Sequence, residues 1–508
     1  MPSSPSTAMA TDLPIDVWRK IIDFLPTDSL LLLANARGPY PFAVLREAGL
    51  KARYSTVVFM KSDKATKEFL KDLWSESDIA QMVNCVNIYP WLVAPRTKSA
   101  RSKSEMLWNL ASTLVDPDYL KNQAEKRVQK RLRKDVLRLQ GAIASLSAVR
   151  EYGIHWDEKR PYHPELYRGF LLPILKALGS HLEKLTIKIP PEMLGSLARA
   201  ALPNLQELDL RLYTGAMNTN EIRHTFDALL VFLHNLKDSL RSLSISSTNK
   251  SENLDLCYLF ANIGTFPFLR SIRLSIPFDG RQLSSTAPFE AFLDNHRSRL
   301  EYLTLSASSC SVNNGSADGM SAKCANWIQS IVGAASHVPF PELRGVELAL
   351  RPLRADLTPL FSFLSVHRIT LESLTLTDRT LTWYEVEMLL DALSGQGRLR
   401  QIHLSIRSLS PEILSLLASR LPRLGSLRLA FTEVAANGVK GSWKRQMDEV
   451  KDLRYALRQR KRDYENWILR NLAISAGPQN SSESWLDALE QQLVECIPSL
   501  ESVTELLH

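Results

Sequence analysis

The chain has 508 residues, 45% of them hydrophobic and 8% aromatic, with a formal net charge of +8. That apolar fraction excludes wholesale disorder. The best membrane-helix candidate, Phe170–Leu178, is broken by Pro173 and Lys176 and falls short of the roughly 18 apolar residues a span needs, so no membrane partner is expected. Cys85, Cys257, Cys310, Cys324 and Cys496 are odd in number and scattered, fitting neither a disulfide framework nor a zinc cluster. With no secretory pattern at the N-terminus, they point to a reducing compartment, cytoplasmic and/or nuclear.

Residues 1–11 are rich in Ser, Pro and Thr and are expected to be a disordered leader. Residues 12–50 carry a helical module. Asp12 can cap a first helix, Pro14 suits its first turn, and Asp16 favours its positive end. Val17, Trp18, Ile21, Ile22 and Leu25 then recur at helical spacing. Pro26 ends this helix, and Thr27 or Asp28 can cap a second that carries Leu30–Leu33. Two such short helices hold more apolar surface than they can cover themselves, so they must pack on the rest of the chain or on a partner.

The run Leu13-Pro14-x-Asp16-Val17-x-x-x-Ile21-Ile22-x-x-Leu25-Pro26-x-x-x-Leu30 resembles the first two-thirds of an F-box. That family docks the small adaptor subunit of SCF-type cullin–RING ubiquitin ligases. The resemblance implies that Leu13, Pro14, Val17, Ile21, Ile22, Leu25 and Leu30 lie at or just behind an adaptor interface. Where the family carries roughly V-C-x-x-W, this chain has Asn35–Tyr40, which predicts a shortened or distorted third helix.

Residues 51–180 read as divergent repeats, with Tyr54–Phe59, Val83–Tyr89 and Ala148–His155 as candidate strands. Between them, Lys121–Arg138 holds eight basic and two acidic residues, and Ala124, Val128, Leu132, Val136 and Leu139 form one helical stripe. This reads as a basic amphipathic helix at 121–139 with a solvated charged face.

From residue 181 to 430 a signature Leu-x-x-apolar-x-apolar recurs. It appears as Leu182–Ile187, Leu205–Leu210, Leu240–Ile245, Leu269–Leu274, Leu300–Leu305, Leu343–Leu348, Leu371–Leu376, Leu399–Leu404 and Leu424–Leu429. Each alternates as a half-buried strand does. Helical stretches such as Phe226–Leu236, Trp383–Leu393 and Pro411–Leu421 separate them. A doubly wound sheet, covered on both faces, would read as continuous apolar runs. Here the interleaved positions are Thr186, Asp209, Ser244, Arg273, Thr304, Glu347, Thr375, His403 and Arg428, all polar, which predicts one uncovered sheet face. The pattern resembles leucine-rich repeats, except that the family's turn Asn or Cys is generally absent. That resemblance implies an α/β solenoid, a curved parallel sheet inside and helices outside, preceded by the small all-α module. Asp209, Arg211, Ser244, Arg273, Thr304, Glu347, Thr375, His403 and Arg428 are then candidate partner-binding residues on its concave face.

Residues 431–498 read as a charged helical insertion. Trp443–Arg470 holds nine basic and five acidic residues on a stripe of Trp443, Met447, Val450, Leu453, Leu457, Tyr464, Trp467 and Ile468. Residues 499–508 supply a last repeat strand. No phosphate-binding loop, metal-ligand spacing or catalytic triad motif occurs, so neither enzymatic activity nor a cofactor or metal is expected. No nucleic-acid fold signature accompanies the basic segments, so base readout of a nucleic-acid partner is not expected; nuclear targeting, or contact with phosphate or an acidic partner, is the alternative reading of their charge. Together the two resemblances imply a non-catalytic substrate receptor of an SCF-type ligase, with the adaptor, and through it a cullin, at one end. An unknown protein substrate would bind the repeats. The alternative is a ubiquitin-independent repeat scaffold capped by the N-terminal helices.

Overall fold

The computed structural model describes residues 13–34, 42–60, 64–75, 77–93, 119–159, 164–215, 217–308, 326–353, 356–395, 397–434, 446–476 and 483–505. The chain is an α/β protein with a fourteen-stranded, all-parallel sheet whose strand order follows chain order. It divides into two compact units, Met1–Arg211 with Thr225–Ser239, and Leu212–His224 with Leu240–His508.

In the first unit the strands are β1 (Thr56–Phe59), β2 (Cys85–Ile88), β3 (Glu151–His155), β4 (Lys184–Lys188) and β5 (Glu207–Leu212). The second holds β6 (Ser242–Ser247), β7 (Ser271–Pro277), β8 (Tyr302–Ser308), β9 (Gly345–Ala349) and β10 (Ser373–Thr377). It continues with β11 (Gln401–Leu409), β12 (Ser426–Val434), β13 (Asn471–Ala476) and β14 (Ser502–Glu505). Alternation explains them. On β10, Leu374 and Leu376 are buried while Ser373, Thr375 and Thr377 stay half-exposed. The leucine that opens each signature is sealed beneath the turn before its strand, and Leu182, Leu240, Leu300 and Leu371 are all fully buried.

The helices between strands cover the apolar sheet face. Trp383–Leu393 starts with a reciprocal cap, in which the Glu385 N–H donates to the Thr382 hydroxyl and the Thr382 N–H to the Glu385 carboxylate. Pro411–Arg420 starts with Ser410 accepting from the Ile413 N–H. In two repeats of the second unit a helix-end histidine takes over turn satisfaction. The Nδ1–H of His296 donates to the Phe292 carbonyl at 2.7 Å, and its Nε2 accepts the Phe266 N–H at 2.9 Å. His367 repeats this with the Phe363 carbonyl at 2.8 Å and the Phe340 N–H at 3.0 Å. Both rings are buried.

Two expectations need correction. The interval 431–498 is not a helical insertion throughout. Its helices are Gln446–Gln459 and Glu483–Cys496, and between them comes β13, pairing with β12 on one side and β14 on the other. Leu453, Leu457, Tyr464 and Trp467 are buried as the stripe predicts, but Ile468 is 52% exposed because it already belongs to the turn leading into β13. Trp443 lies outside the described residues.

At the N-terminus, α1 (Ile15–Asp23), α2 (Thr27–Leu33) and α3 (Phe42–Tyr54) form a small helical group in which α1 and α2 both pack on α3. Pro14 and Pro26 occupy the cap positions and no side chain caps either helix; neither Thr27 nor Asp28 plays that role, and Asp12 and Asn35–Tyr40 lie outside the described residues. Gly49 allows the close approach of α2 to α3. A Cβ there would lie 2.6 Å from the Leu30 carbonyl oxygen and nearer still to the Ala34 nitrogen. Gly49→Val is therefore expected to cost about 1–3 kcal/mol by overpacking, read as faster amide exchange across Thr27–Leu33 with exchange in the strands unchanged.

The basic segment forms the helix Tyr119–Ala144, which packs on Pro164–Phe170 and Leu172–Leu178 and buries Leu132, Val136 and Leu139. Lys130, Arg133, Lys134 and Arg138 are exposed. Among the described residues no helix is long and apolar enough to cross a membrane.

Candidate interaction surfaces

The first surface is the N-terminal helix group. α1 and α2 contain no buried residue. Trp18 and Ile22 on α1, and Leu25 just past its end, are half-buried, one stripe turned toward the group itself. Leu13, Val17 and Ile21 are 38%, 39% and 37% exposed, Pro14 is exposed, and Leu30 on α2 is half-buried. The sequence-predicted residues thus divide into an outward set (Leu13, Pro14, Val17, Ile21) and a supporting set (Ile22, Leu25, Leu30). The resemblance gave no role to Phe24 and Leu32, the most exposed apolar side chains here at 88% and 79%. They sit at helix ends, where helical periodicity carries least information. So much clustered apolar exposure marks an interaction surface more often than a solvent-facing one.

The second surface is the open sheet face, built row by row from strand register. In the second unit Ser244, Arg273, Thr304, Glu347, Thr375, His403 and Arg428 are successive register partners, one residue per strand from β6 to β12. The row continues through Ala473 to Thr504. Arg273 and Glu347 form an ion pair at 3.7 Å across the buried Thr304. Burial and then the nearby Arg428 push the His403 pKa down, against a smaller pull from Glu347, so its imidazole is neutral at neutral pH. One residue pair along, the register partners Ser246, Ser275 and Ser306, then Ala349 and Thr377, then Ser405, Ala430 and Ser475 are all small side chains. The charged row therefore stands above its neighbour. Tyr302, 47% exposed, lies over Gly345, where a Cβ would meet its ring at 2.5 Å. Strand alternation places Tyr302 on this face, two residues before Thr304.

In the first unit Asp209 occupies the equivalent row after Asn87, Gly153 and Thr186, and its carboxylate accepts from Arg211 Nε at 3.0 Å. Beside them is a cluster that sequence reading did not find. His155 bonds Asn87 through Nε2 at 3.0 Å and stacks on Tyr89 at 4.7 Å, and Tyr89 meets Trp91 edge-on at 4.8 Å. Gly153 leaves room for this pair, since a Cβ would lie 2.9 Å from His155 Nε2 and nearer still to Asn87 Oδ1. Burial, then the charge of Arg211, push His155 down to about 4, with Asp209 opposing. In a pH titration followed by imidazole NMR, the His155 resonance is expected to stay at its neutral position from pH 8 to about pH 5. A midpoint near the ordinary histidine value would show that the cluster is not formed in solution.

Among the described residues no group of His, Cys, Asp and Glu side chains could hold a metal ion. No protein-family model and no curated protein matches the chain.

Proposed function

We propose that the chain is a substrate receptor of an SCF-type ubiquitin ligase: an F-box-like helical module fused to a leucine-rich-repeat solenoid. The observation that carries this reading is the coexistence of two unlike surfaces. One is a helix pair with an outward apolar stripe and no buried residue. The other is a row of polar and charged side chains on an uncovered sheet face. The first suits an apolar helical adaptor and the second a polar protein target. The contribution to catalysis would be proximity, holding the target beside the charged conjugating enzyme. Cap helices of a ubiquitin-independent scaffold would bury their apolar faces on the repeats, whereas no residue of α1 or α2 is buried. The test is reconstitution with purified adaptor: co-elution as a one-to-one complex supports the reading, and separate elution at micromolar concentration rejects it.

A further inference from the structure

The first unit ends in an open strand edge. β1 is terminal in the strand order and, among the described residues, pairs on one side only, with β2. The Ser55 and Phe59 carbonyls accept from the Cys85 and Tyr89 N–H groups, which fixes the alternation. Ser55, Val57 and Phe59 direct their main chain at β2, and Thr56 and Val58 direct theirs away. Two N–H donors and two carbonyl acceptors thus line the outer edge, spaced for another strand. Such an edge is normally covered or blunted. Here a groove of about 720 Å³ runs along it, walled by the end of α3 and by α4 (Lys64–Ser75). Val58 and Met60 are 50% and 42% exposed at its floor.

We propose that this edge is a docking site for an extended peptide of a partner protein, which adds to the sheet as a strand beside β1. The occupant follows from what the groove offers. Its charged lining balances, Arg53 and Lys71 against Glu68 and Asp72, so it selects no ion. Among the described residues, what it presents without a match is main chain, and the ligand that satisfies main chain at strand spacing is another strand. Apolar side chains of that peptide would rest on Val58, Met60 and Phe69. A second copy of this chain is a poorer fit. Its own β1 is four residues long and follows α3 after a single residue, so it cannot lie along the groove as a free strand. This inference does not depend on the ligase reading.

Val58→Pro tests it, because proline removes the outward N–H and is tolerated on an edge strand without touching the β1–β2 ladder. Peptides would be selected from a random display library on the full-length protein, and one enriched peptide synthesised for titration. Expected is binding that weakens about tenfold or more in Val58→Pro, and less in Val58→Ala, which keeps the N–H. On the wild-type chain, amide exchange at Thr56 and Val58 is expected to slow about tenfold or more when that peptide saturates it, a reading independent of how the proline variant folds. Failure to enrich any peptide overturns the proposal, as does affinity within about twofold of wild type in a folded Val58→Pro protein. Unchanged exchange at both amides also overturns it, and self-association abolished by Val58→Pro would assign the edge to a second copy instead.

Discussion

Val17→Asp combined with Ile21→Asp is expected to abolish adaptor binding while leaving the thermal transition within a degree or two of wild type. Both side chains are more than a third exposed and neither is buried in α1, so a carboxylate at either costs the isolated protein little. In a complex each would be desolvated against apolar partner surface, at about 2 kcal/mol or more apiece. Together that is a loss of roughly a thousandfold in affinity. Position matters in choosing the pair. Leu25 is half-buried on the stripe facing the helix group, so Leu25→Asp would disturb folding and binding at once. If the Val17/Ile21 double variant binds the adaptor as wild type does, the outward stripe is not the docking surface.

His367→Ala is expected to destabilise the second unit by about 3–5 kcal/mol, since it opens a cavity and leaves the buried Phe340 N–H without an acceptor. His367→Phe keeps the volume and strands the same N–H, at about 1–3 kcal/mol. The matching arrangement at His296 predicts the same ordering. Burial holds both imidazoles below their ordinary value of 6.5, outweighing the opposing bond to the helix carbonyl. The direction of the pH effect follows. Above pH 6.5 both rings are neutral in the folded and unfolded chain, and their contribution is complete. As pH falls through 6.5 the unfolded chain binds protons that the native state resists, so stability declines until the folded-state values are reached. Denaturant melts at pH 7.5 and 5.5 check this: the wild-type midpoint should fall more between them than that of a His296→Phe, His367→Phe double variant. Equal slopes would mean that these histidines are not the acid-sensitive groups.

Much of the sheet was legible in the sequence because strand alternation is a local signal. Each of the nine strong signatures, the weaker C-terminal copy and the three candidate early strands falls on a strand. The exception is instructive. Leu469-Arg470-Asn471-Leu472-Ala473-Ile474 carries the same signature, yet its interleaved position is Ala473 and it follows Trp467 and Ile468. Those residues extend the apolar stripe of the preceding helix, and a helical reading absorbed the strand. Site residues were readable to the extent that register alone places them, as with the row from Ser244 to Arg428. Features that need two distant segments were not readable. The Phe266–His296 and Phe340–His367 bonds, the His155–Asn87 pair and the outer edge of β1 exist only once non-adjacent residues meet.

Strand order that follows chain order also bears on how the protein is made. In the second unit the nearest register partners, Gln401 and Ser426, are 25 residues apart, and the most distant, Ser426 and Asn471, are 45 apart. Each strand emerging from the ribosome therefore meets a neighbour that has already been synthesised and never waits for one still to come. Folding can advance with translation, one strand and helix at a time. The unsatisfied growing edge moves along with synthesis, strand by strand.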